Sequence, residues 1–145
     1  MFKVYIIACL LLFIGCSEDD TDPNPNFFEY NDNRFEVTEV VCYQSNTRYI
    51  VEAWYKTKDD PDFLISEVIF DKEPEDGTYQ LTSQEWSLDE NSASIKLHFQ
   101  TQKRYRSKEG ELVVSRTNAG LTIEFENVQV SNVDLLIHSG EFSCN

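Results

Sequence analysis

Ala93-Ser94-Ile95-Lys96-Leu97-His98-Phe99-Gln100 alternates without a break, apolar then polar. Ala93, Ile95, Leu97 and Phe99 fall on one side of an extended chain, and Ser94, Lys96, His98 and Gln100 on the other. A period of two is what a strand buried on one face requires. Two further stretches repeat the pattern. Leu121, Ile123 and Phe125 stand against Thr122, Glu124 and Glu126. Tyr49, Val51, Ala53 and Tyr55 stand against Glu52, Trp54 and Lys56. No segment carries a helical stripe of ten residues.

Turn signals separate these runs: Gln44-Ser45-Asn46-Thr47, Lys58 to Asp62, Asp71 to Gly77, Lys108-Glu109-Gly110 and Asn118-Ala119-Gly120. The reading is about eight strands, near 34–43, 48–57, 63–70, 78–81, 92–105, 111–116, 120–130 and 134–143. Short strands at regular spacing predict an all-β fold, an antiparallel up-and-down β-sandwich or a calycin-like β-barrel. The first strand has a phase conflict. Phe35 and Val37 share a face, yet Val40, Val41, Cys42 and Tyr43 are continuous. A β-bulge near Glu39 or burial on both faces resolves it.

The chain has 145 residues, 41% hydrophobic, with 12 basic and 26 acidic side chains and a net charge of −14. One core suits that length. The acidic balance excludes nucleic acid as partner, because phosphate binding runs on clustered cations.

The N-terminus is an address. Lys3 is followed by Val4 to Ile14, all apolar, then Gly15-Cys16-Ser17-Glu18-Asp19-Asp20. The run is shorter than the ~20 residues that span a bilayer, so it reads as a secretion signal. Phe13-Ile14-Gly15-Cys16 resembles the lipobox of bacterial lipoproteins, with Phe13 in place of the usual Leu. That resemblance implies cleavage before Cys16 and acylation of its sulfur and its new amine, with palmitate-type chains holding the protein to membrane lipid. The acidic run 17–20 looks like the surface-export signal of Bacteroidetes lipoproteins, which implies an outer-membrane station facing the exterior. The expected organisation is a signal at 1–15, a lipidated Cys16 with an acidic, Pro- and Asn-rich tether at 16–32, and a single β domain at 33–145. The tether composition favours an extended chain of about 3.1 Å per residue.

Gly77-Thr78-Tyr79-Gln80-Leu81, the long alternating strand, a hairpin at Gly110, the Leu121–Phe125 run and Gly140-Glu141-Phe142 are together similar to the small all-β lipoproteins of Bacteroidetes. Several of these belong to families of unknown function with calycin-like or sandwich folds. The resemblance implies the fold over residues 33–144 and supplies no catalytic residue.

Cys9 lies in the signal and Cys16 is the lipidation site. Cys42 and Cys144 remain, on the first and last predicted strands, and either a disulfide or two buried thiols fits an exported protein. Eleven acidic residues crowd 57–90 against Lys58 and Lys72. The loop 71–82 departs from the calcium-loop pattern, so solvated turns are expected and no metal or other cofactor. Arg104-Tyr105-Arg106 at a hairpin end is a candidate grip on an anionic sugar or a partner's carboxylate. Trp54, predicted to face outward, is a candidate platform for a sugar ring. His98 is expected exposed on its polar face, and His138 on the face of Leu136 and Phe142. No nucleophile elbow or phosphate loop is present.

The expected function is a non-catalytic binding or interaction module for a glycan or protein ligand at the cell surface. The alternatives are a calycin-like carrier of an apolar ligand and an accessory subunit of an outer-membrane complex. A hydrolase built on an acidic pair is the remaining enzymatic alternative.

Overall fold

The computed structural model describes residues 26–30, 33–56, 63–98, 104–118, 120–130 and 135–144. Cys16 and residues 16–25 of the tether lie outside them. The described residues form one ten-stranded sheet. Its strands are β1 (Phe27–Tyr30), β2 (Asn33–Glu36), β3 (Glu39–Ser45), β4 (Arg48–Tyr55), β5 (Phe63–Phe70), β6 (Gly77–Leu81), β7 (Ser92–His98), β8 (Arg104–Thr117), β9 (Gly120–Val130) and β10 (Leu135–Cys144). A single 3-10 turn, Glu85–Ser87, stands between β6 and β7. The fold is all-β, as the alternation predicts.

Three features depart from the sequence reading. The predicted strand 34–43 is two strands, β2 and β3, split at Val37-Thr38. β2 pairs with β1, whereas β3 pairs with β4. These pairings sit at opposite ends of the strand order β2-β1-β10-β9-β8-β6-β7-β5-β4-β3. A single extended run therefore joins the two ends of the sheet. Val37 donates its amide to the Asn26 carbonyl at 3.0 Å, and Thr38 donates to the Trp54 carbonyl at 2.8 Å. The phase conflict marks this change of partner rather than a bulge.

Second, Phe27–Tyr30 belongs to the sheet. β1 pairs with β10, Phe28 opposite Gly140. Residues 27–30 of the expected tether are thus strand. Phe27, Phe28 and Tyr30 explain why: aromatic residues bury well on a pleated surface.

Third, Lys108-Glu109-Gly110 is not a hairpin turn. It lies inside the 14-residue β8, where register shifts between Ser107 and Glu109 and between Glu109 and Glu111 absorb it as bulges. Gly110 has φ of +131°, and a Cβ there would stand 3.3 Å from the Val128 Cα. β8 changes partner here. Its start pairs with β7, Lys96 opposite Arg106. Its later part pairs with β6, Tyr79 opposite Leu112. β6 thus wedges between β7 and β8 and meets β7 in a short parallel contact, the one departure from antiparallel pairing among the described strands. Ser107, fully buried, fills the fork: its hydroxyl accepts the Ile95 amide at 2.9 Å and donates to the Thr82 carbonyl at 3.0 Å.

The sheet curls around one core. Val51, Ala53, Val68, Ile95, Leu97, Leu112, Ile123 and Ile137 are essentially inaccessible. Aromatic rings fill the middle. Phe125 and Phe142 stand 5.4 Å apart edge to face, Phe70 and Tyr79 5.1 Å, and Phe35 and Tyr55 5.9 Å. Cys42 of β3 and Cys144 of β10 form a disulfide, with Cα atoms 6.2 Å apart and a separation of 102 positions in sequence. It ties one sheet end to the C-terminal strand.

Candidate functional site

Register decides which polar side chains meet on the outer surface. Across β4, β5, β7 and β8, Glu52 lies opposite Glu67, Glu67 opposite Lys96, and Lys96 opposite Arg106. These residues alternate with the buried Val51, Ala53, Val68, Ile95 and Leu97, so they form one row on the outside.

At the β3–β4 end, Glu52 receives two aromatic donors. The Tyr43 hydroxyl donates to Glu52 Oε1 at 2.8 Å, and the Trp54 indole Nε1 donates to Oε2 at 3.2 Å. Donation to the carboxylate, then partial burial and the charges of Glu52 and Glu67, push the Tyr43 phenol up to about 12. The phenol therefore remains neutral at any physiological pH. Tyr43 is 38% exposed and Trp54 half-buried. Both rings are held from their edges by one carboxylate, and their faces are not consumed by it.

In the middle of the row, Glu67 Oε2 stands 3.3 Å from Lys96 Nζ and 3.8 Å from His98 Nε2. The second separation is an electrostatic contact, beyond hydrogen-bond range. The His98 ring first, and the Lys96 charge after it, hold the Glu67 carboxyl below its ordinary range against the opposing effect of partial burial. His98 is on the polar face as expected but not exposed; its Nε2 is shielded from solvent and has no hydrogen-bond partner among the described residues.

At the far end, Lys96 Nζ also reaches Glu85 Oε1 at 2.9 Å, and Arg106 Nη2 stands 3.8 Å from Glu85 Oε2. These contacts pin the 3-10 turn over β7 and β8. The next residue in that turn, Trp86, is 73% exposed.

The expected site residues separate accordingly. Trp54 and Arg106 belong to this row. Arg104 is exposed opposite His98 at its margin. Tyr105 is on the other side of β8, partly buried against the core. Alternation places it there, since neighbours in a strand face oppositely. The His138 side chain lies outside the described ones. Tyr43, Glu52, Glu67 and Lys96 escaped the sequence reading because only strand register brings them together.

The acidic loop after β5 is a structural clamp. Arg116 on β8 donates to Glu73 Oε1 at 2.6 Å and to the Pro74 carbonyl at 3.1 Å, and its amide meets Asp76. Among the described residues no group of three or more side chains is arranged to hold a metal ion.

A second surface feature covers β8, β9, β10 and β1. A cleft of about 500 Å³ is lined by Glu111, Glu124, Glu126, Glu141, Phe27 and Val113, among others. Glu111 lies directly opposite Glu126, and Glu124 opposite Glu141. Like charges facing each other across strands repel.

No known family matches the sequence, and neither a curated protein nor a solved structure matches it.

Proposed function

We propose that this chain is a lipid-anchored surface protein whose β domain binds a carbohydrate on its outer face, without chemistry. The anchor rests on the apolar run 4–14 and the Gly15-Cys16 junction. The observation that carries the binding reading is the shared grip of Glu52 on Tyr43 and Trp54. An aromatic ring stacks on the apolar face of a sugar, and a neighbouring carboxylate accepts its hydroxyls. Rings locked before binding lose little freedom on complex formation. The interior supports the same reading: the core rings pack against one another, which favours an outer site over the barrel-interior site of a carrier.

Two measurements test it. Cells grown with labelled palmitate should label the native chain and not Cys16→Ser; equal labelling removes the anchor. The full chain in detergent should be retarded in gels containing neutral polysaccharides, and Trp54→Ala should migrate freely. Unchanged retardation of Trp54→Ala removes this surface from the function.

A further inference from the structure

The geometry points to a specific ligand class: a neutral polysaccharide, held as an extended chain between two aromatic stations, Tyr43 with Trp54 at one end and Trp86 at the other. This rests on the reading of the outer face as a carbohydrate site.

The first argument is spacing. Adjacent strands lie about 4.8 Å apart, so the path from β4 across β5 is about 10 Å to β7 and about 14 Å to β8. Trp54 is on β4, and Trp86 follows Glu85, which is tied to Lys96 of β7 and Arg106 of β8. A single sugar ring reaches one station. A chain longer than a disaccharide reaches both.

The second argument is charge. Lys96 is shared between Glu67 and Glu85, and Arg106 is engaged by Glu85. An anionic sugar would have to displace these carboxylates and approach Glu52, on a chain of net charge −14. Hydroxyls of a neutral sugar meet no such opposition. They can donate to Glu67 and Glu85 while both stay paired.

The third argument separates sugar from protein. Protein interfaces place an apolar, charge-depleted centre inside a polar rim. This surface is the inverse: charged groups occupy the centre and aromatic rings the two ends. Among the described residues the exposed large apolar side chains, Tyr43, Trp86 at 73% and Val113, belong to three separate elements. A tryptophan left so accessible beside fixed charges suits stacking on a polar chain.

The test uses the full chain in detergent and fractions of starch, galactomannan and yeast mannan graded by length, with heparin and polygalacturonate as anionic probes. Affinity should rise with chain length for at least one neutral polymer, and the anionic probes should bind more weakly. Trp86→Ala, at a position too exposed to disturb folding, should weaken long-chain binding about tenfold and disaccharide binding by less, so that the gain of affinity with chain length shrinks. Unchanged long-chain affinity in Trp86→Ala overturns the two-station grip while the carbohydrate site survives. Tighter binding to heparin or polygalacturonate overturns neutrality. A domain that binds no polysaccharide overturns both this inference and the reading beneath it, as does a protein partner lost on Trp86→Ala in the absence of glycan binding.

Discussion

The ring of Phe125 lies across Gly140 on the neighbouring strand: a Cβ built at residue 140 would stand 2.2 Å from the Phe125 Cζ. The two residues are paired in register, and Phe28 is opposite Gly140 from the other side. The glycine makes room for the ring, which covers the strand in place of a side chain.

Gly140→Ala must therefore displace Phe125 from the core. The expected loss is about 1–3 kcal/mol, as for overpacked interiors. Urea unfolding measures it through the midpoint. Adding Phe125→Leu to Gly140→Ala should recover part of the loss. An unchanged midpoint in the single variant contradicts the packing described.

Ser107 stands where β8 leaves β7 for β6. Ser107→Ala strands the Ile95 amide and the Thr82 carbonyl in a buried fork. Leaving such groups unsatisfied costs about 1–3 kcal/mol. Hydrogen exchange at the Ile95 amide should accelerate more than at the Val51 amide, in the middle of β4. Uniform acceleration across both would mean the fork has no local role.

Acid should weaken the fold through Glu67. Its ordinary value is 4.5 and its folded value is lower, so the ionised form favours the folded state. That contribution is fully present above the unfolded value and disappears as pH falls through the folded one. Glu67→Gln should lose about 1 kcal/mol at neutral pH. The gap between variant and native chain should close as the pH drops below 4.5. A gap that persists in acid argues that the side chain acts by shape alone.

Glu124 faces Glu141, so removing its charge relieves repulsion. Glu124→Gln should gain about 0.5 kcal/mol at low salt. In ~1 M salt, where screening acts within about 3 Å, the gain should vanish. Glu36→Gln, whose opposite residue is Phe27, is the control and should be silent. A gain independent of salt would place its origin elsewhere.

The all-β architecture was legible because single-face burial writes itself as alternation: 121–125 follow it residue by residue, and 93–98 follow it except at Ser94, which is buried. The split at Val37-Thr38 was legible only as a conflict of phase, since nothing local tells a strand to change partner. Gly110 carried a turn signature because the positive φ that opens a turn also serves a bulge. Trp54 announced its outward face through its neighbours. Its partners Tyr43, Glu67 and Lys96 come from other strands, and register across four strands is set by the whole sheet. Nothing in the sequence says where the turn that carries Trp86 lies.

The junction of the sheet ends has a mechanical consequence. Asn26 gives its carbonyl to Val37 and takes the Ser143 amide on its side chain at 2.6 Å, one residue from the Cys144 bond. A tug arriving along the N-terminal segment enters the molecule there. It is shared at once between the first hairpin and the final strand, which the disulfide rivets to β3 one residue away. Such a load must slide several bonded rows together instead of peeling one free. Under the N-terminal anchorage proposed above, the load meets the sheet at its disulfide-tied end.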